Sequence, residues 1–240
     1  MTRLFRTGRA LATTVALGLL SACGVPDPST QEAVPMGNFA LGTNAVVAVD
    51  PQKGPLSRNV DVDEFKAILE DEMQLRFGRY EGDRVFHMGT AIEGYVVAAP
   101  GIPLVLAPKS ILIARFTLYA DEVGPDGKPI KLNPETKLIT VFESLASGPF
   151  IGSGYTQTPQ EQMRNLSRNA AAAIQRYMLE NPEWFGMSES EAERSLRAMG
   201  RRRPAEARAE AAADEAAAEA AAGAVAEGTA GAGAEAAGEG

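Results

Sequence analysis

Three residue types that carry much of enzyme and metal chemistry are nearly missing from this chain. Of 240 residues, one is cysteine, one histidine and one tryptophan. A single thiol, Cys23, excludes an internal disulfide, so any fold must rest on its apolar core. With His87 as the only imidazole, neither a Ser-His-Asp or Cys-His nucleophile system nor a His/Cys zinc site has enough members to draw on. Positive charge is in deficit: 23 Lys and Arg stand against 31 Asp and Glu, a net charge of −8. That balance argues against nucleic acid or an anionic lipid surface as an attracting partner. The apolar run from Ala10 to Leu20 falls short of the roughly 20 residues that span a bilayer.

What the N-terminus does have is the three-part order of a secretory signal. Arg3, Arg6 and Arg9 precede the apolar run, and small residues follow it. The run ends in Leu20-Ser21-Ala22-Cys23-Gly24. This stretch resembles the lipobox of bacterial lipoproteins, in which a branched apolar residue and two small ones precede a cysteine. The resemblance implies cleavage before Cys23 and a thioether from its sulfur to a diacylglyceryl group. Two or three acyl chains, at about 0.8 kcal/mol per buried methylene, would hold the protein on a membrane permanently. Losing residues 1–22 removes three arginines and no acid, so the charge moves from −8 to −11. Position 24 is Gly where Asp retains some enteric lipoproteins in the inner membrane, so the family rule favours the outer membrane, with the domain facing the periplasm.

The remainder divides by composition. Residues 23–38 carry Pro26, Pro28 and Pro35 with few bulky apolar side chains, which reads as a lipidated tether. Residues 39–186 have the patterning of one folded domain, large enough to bury a core. Residues 187–240 read as a short helix, Ser188 to Met199, followed by an Ala/Glu/Gly tail without an apolar stripe, expected to be frayed helix or disorder.

Within the domain, Asn44 to Val49 is β-branched and stopped by Asp50-Pro51. Asp61 and Glu64 then have the spacing of a capping box. Val62, Phe65, Ile68, Leu69, Met73 and Phe77 follow as one apolar stripe ending at Gly78. Strand patterns follow at Arg84 to Met88, Ala91 to Ala98, Ser110 to Ala120, Ile130 to Leu132 and Leu138 to Phe142, with Pro125-Asp126-Gly127 as a turn. An antiparallel meander is the simplest way to join them. A second helix is predicted from Thr158 to about Leu179, with Pro159 in its first turn and Glu161 closing a capping box. The expected fold is therefore α+β, a mostly antiparallel sheet with two helices packed on one face. With the lipobox and tether, this element order resembles small periplasmic α+β lipoproteins of the transport-auxiliary or lipopolysaccharide-assembly type. It carries no motif, so it transfers no functional residue.

The remaining candidates for chemistry have plainer readings. Asp50, Asp61, Asp63 and Glu64 lack the loop spacing of a calcium site and suit a helix N-terminus. The glycines of Gly148 to Tyr155 fit no phosphate-loop fingerprint. Trp184-Phe185 reads as a staple for the second helix, and His87 as a structural histidine. Ile102 to Leu106, set among prolines, is expected to form an exposed apolar loop. No catalytic residue, metal ligand or cofactor is expected. The sequence reading is a non-catalytic envelope lipoprotein, attached at Cys23, with an accessory or assembly role and an envelope protein as partner. The alternative is a periplasmic module for a small molecule or lipid, which requires a deep apolar pocket between helices and sheet.

Overall fold

A computed structural model of the chain describes residues 27–54, 57–99, 110–143 and 157–200. The signal segment, Cys23, the Ile102 to Leu106 stretch, Gly148 to Tyr155 and the Ala/Glu/Gly tail lie outside the described residues.

Six strands make one sheet: β1 (Phe39–Val47), β2 (Gln52–Lys53), β3 (Arg84–Val96), β4 (Ile111–Val123), β5 (Pro129–Lys131) and β6 (Lys137–Phe142). The sheet is four strands wide. β1 and β2 follow one another along one edge of β3, and β5 and β6 along the outer edge of β4. In the gap between β5 and β6, buried Asn133 replaces the missing backbone. Its Oδ1 accepts the Leu118 N–H at 2.8 Å and its Nδ2 donates to the Phe116 carbonyl at 2.9 Å.

β3, β4, β5 and β6 pair antiparallel, as expected, but β1 and β2 run parallel to β3. The meander therefore starts one element late. A parallel neighbour needs a crossover, and helix α1 (Val62–Phe77) supplies it. The two strands expected at Arg84 to Met88 and Ala91 to Ala98 are one, β3, continuing through Gly89 and Thr90.

α1 and α2 (Pro159–Leu179) cover one face of the sheet. Asp61 caps α1, accepting the N–H groups of Asp63 and Glu64, and Thr158 and Glu161 close a reciprocal capping box on α2. Alternation along β3 and β4 sends Phe86, Met88, Ile92, Leu112, Phe116 and Leu118 under the helices. Phe65, Leu69, Met73 and Phe77 of α1 and Leu166, Ala170, Ile174 and Met178 of α2 meet them, every one of these helix residues at 0% exposure. Phe39 centres an aromatic cluster, stacking on Phe86 at 5.4 Å and edge-on to Phe77, Tyr80 and Phe185. Among the described residues no helix is long and apolar enough to cross a membrane.

The folded body is wider at both ends than residues 39–186. Helix α3 (Glu189–Ala198), with its own capping box from Ser188 and Glu191, packs on α2 through buried Ala192 and Ser195. At the other end, residues 27–38 are bound to the domain, which corrects their assignment to a loose tether.

Candidate functional site

Proline content is what made 27–38 look like a linker, yet it also suits a fixed strap. Pro28 and Pro35 have restricted φ, and their carbonyls remain free to accept. Arg79, just beyond α1, donates to the carbonyls of Pro28 at 2.6 Å and Gln31 at 2.8 Å. The Tyr80 hydroxyl donates to the Val34 carbonyl at 2.8 Å, and Ser195 Oγ to the Pro35 carbonyl at 2.8 Å. Met36 is buried at 1% exposure, and Gly37, at φ +59°, turns the chain into β1. A β-carbon at Gly37 would collide with Met187 and the Phe185 carbonyl, so the turn needs glycine on steric as well as conformational grounds.

The strap covers a polar seam between α1 and α2. Arg168 of α2 grips Glu72 of α1 through Nε and Nη2, at 3.2 and 3.1 Å, and Nη2 also reaches Asp27 at 3.1 Å. Further along, Arg76 Nη1 donates to Gln175 Oε1 at 2.9 Å, while Gln175 Nε2 donates to the Tyr80 hydroxyl at 2.7 Å. Burial pushes the Arg76 guanidinium down to about 10, helped by the positive charge of Arg79, and pushes the Tyr80 phenol up. Asp27 is shifted the other way. The Ser29 hydroxyl and N–H, then Arg168 and Arg164, hold its carboxyl below the ordinary range. These groups assemble a clamp that binds the chain's own N-terminal segment. Sequence reading missed them because Glu72 and Arg76, at i and i+4, are indistinguishable from an ordinary exposed helix pair.

Among the described residues, no helix packs on the other face of the sheet. Its surface is mixed, with Val85, Arg115 and Tyr119 beside Gly89 and Thr117. Arg115 pairs with Glu93 at 3.4 Å, largely in water, where such pairs contribute little. At the β4–β5 hairpin a shallow, solvent-open depression of about 530 Å³ is lined by Tyr119, Pro125, Lys128, Ile130 and Lys131.

His87 stands on this open face above Gly42, whose missing side chain makes the room. Its Nδ1 accepts the Thr43 N–H at 3.0 Å and its Nε2 lies 3.0 Å from Asp121 Oδ1. Both ring nitrogens are thus engaged within the domain. Asp61 caps α1, and Asp63 pairs with Lys66 at 3.0 Å, so the acidic cluster is divided among local duties. Among the described residues no three His, Cys, Asp or Glu side chains are grouped to hold a metal. Trp184 and Phe185 sit in a short 3-10 turn after α2. There Phe185 is fully buried and Trp184 packs edge-on to Tyr177, the staple expected of the pair.

No family model and no curated protein matches the chain. Solved structures similar to it include a hypothetical protein from Chlamydia trachomatis, 14% identical at a TM-score of 0.32, covering 60% of this chain and 98% of that one. Another is a candidate lipoprotein from Caulobacter crescentus CB15, 11% identical at a TM-score of 0.30, covering 59% and 88%. A third is a candidate homologue of the neuraminyllactose-binding haemagglutinin from Helicobacter pylori, 12% identical at a TM-score of 0.25, covering 70% and 94%. Scores at this level leave function to be argued from the chain itself.

Proposed function

We propose that this chain is a lipid-anchored envelope protein, held on a membrane by acyl groups on Cys23 and facing the periplasm. There it acts as a non-catalytic accessory or assembly subunit for another envelope protein. One observation carries the anchoring. The only thiol ends a three-part signal, and among the described residues the first contact with the domain, Asp27 to Arg168, comes four residues later. A thiol placed there has the position that lipid attachment requires. Gly24 in place of Asp favours the outer membrane.

The packing supports an accessory role over ligand carriage. A binding module of this architecture would keep a deep apolar chamber between helices and sheet. That space is occupied by Phe65, Leu69, Phe77, Phe86, Phe116 and Ile174, each at 0% exposure. Among the described residues, the sheet face opposite the helices is the surface left open to a partner.

The test is expression in the host of wild type beside Cys23→Ala, followed by intact mass, membrane fractionation and in-cell cross-linking. Wild type alone should lose residues 1–22, gain acyl mass, sediment with membranes and cross-link to an envelope protein. Wild type that remains soluble and unacylated would overturn the anchoring. Acylated protein that forms no cross-link would overturn the accessory role.

A further inference from the structure

If Cys23 is the anchor, as the preceding reading requires, the strap determines which side of the domain meets the lipid. Four virtual bonds separate Cys23 from Asp27, so whatever the conformation of that stretch, its two ends lie within about 14 Å of each other. Asp27 itself is fixed. Its side chain caps the 3-10 turn Pro28–Thr30 and pairs with Arg168 of α2, and the next carbonyls are gripped by Arg79 at the end of α1. The chain therefore leaves the body on the helix side, over the α1–α2 seam.

We propose that the helix layer rests directly on the lipid headgroups, with the strap lying between, and that the uncovered sheet face is turned away from the membrane. The surface around Asp27 has the chemistry for such a contact. Positions 72 and 75 of α1 and Arg79 just beyond it lie along one stripe. Arg79 holds the strap directly and Glu72 through Arg168, and Leu75 between them is 47% exposed. Arg164, one turn before Arg168 on α2, is exposed and close enough to act on the Asp27 carboxylate. Leu75, with exposed Asp71 one turn before it and Arg79 one turn after, can dip at the headgroup boundary, while the exposed Arg164 meets phosphate. Charge does not drive the contact, because the mature chain is strongly acidic; the short leash enforces it. The sheet face carrying Arg115, Thr117 and Tyr119 then stands at least one helix diameter, about 10 Å, farther out. That is where a periplasmic partner would find it.

With Cys23 acylated, a second cysteine gives a unique reporter. Gln74→Cys on exposed α1 and Arg115→Cys on the open face, each with a fluorescent label, are compared as full acylated protein in phosphatidylethanolamine and phosphatidylglycerol vesicles containing a headgroup-region quencher lipid. The label at position 74 is expected to be quenched several-fold more than that at 115. Inserting 15 Gly/Ser residues between Pro26 and Asp27 should erase the difference, since such a linker adds roughly 20 Å of reach. Unchanged Trp184 emission controls for folding. Equal quenching, or stronger quenching at 115, in protein whose mass shows acylation overturns the orientation and leaves the anchor standing. A mass without acyl groups overturns both.

Discussion

Replacing Arg168 by alanine is expected to destabilise the domain by about 3 kcal/mol. Glu72 keeps only 4% of its side chain exposed, and both its carboxylate oxygens accept from Arg168, at 3.1 and 3.2 Å. Deleting the guanidinium leaves a buried carboxylate uncompensated, for which about 3–5 kcal/mol is typical. The lower end applies here for two reasons. Arg168 is itself 17% exposed, so water can reach the gap, and the Nε and Nη2 of nearby Arg76, which find no partner among the described residues, can turn toward Glu72. Removing both charges is a different perturbation. Glu72→Met with Arg168→Met keeps the volume and deletes the desolvation cost with the pair, so it should lie within about 1 kcal/mol of wild type. The assay is urea unfolding of the mature chain carrying Cys23→Ser, followed by emission of Trp184, the only tryptophan. For a body of this size the single variant should also melt roughly 6–12 °C lower. A single variant within about 1 kcal/mol of wild type, or a double variant as unstable as the single, would refute the account of the seam.

The remaining expectations concern the strap and the core. Arg79→Ala removes the donor to two strap carbonyls, so amide exchange and protease cleavage across residues 27–34 should rise with little change in global stability. The Asp27 carboxyl titrates below its ordinary value in the folded chain, so its contribution is present above that ordinary value. It is lost as the pH falls through the lowered one. Strap exchange should accordingly increase below about pH 4, and Asp27→Asn should show the loosened strap at neutral pH with that pH dependence flattened. Phe39→Ala empties the centre of the aromatic cluster and should cost about 3–5 kcal/mol by urea unfolding; a loss under about 1 kcal/mol would mean that the cluster repacks.

Where side-chain spacing repeats, the fold was legible in the chain alone. The 3.6-residue stripe from Val62 to Phe77 and the Thr158–Glu161 box place α1 and α2 because local hydrogen bonding and one apolar face decide a helix within its own turn. Alternation along Ser110 to Ala120 similarly assigns β4 and its buried face. The pairing direction of β1 was not legible, since a strand reads the same whether its neighbour runs with it or against it. The strap was misread because prolines mark a mobile linker and a preset, carbonyl-rich segment with the same composition. His87 was visible, but its partners, Thr43 and Asp121, lie 44 and 34 residues away.

By itself the sequence determined the two covering helices, the order of helices and main strands, and which face of β4 is buried. These follow from contacts a few residues long and from composition. Only the tertiary structure decided that β1 lies parallel to β3, that Glu72, Arg76, Arg168 and Gln175 form a buried seam, and that residues 27–38 are bound across it. Each depends on groups 40 to 140 residues apart coming within hydrogen-bond distance, and such meetings leave no period in the chain for a reader to find.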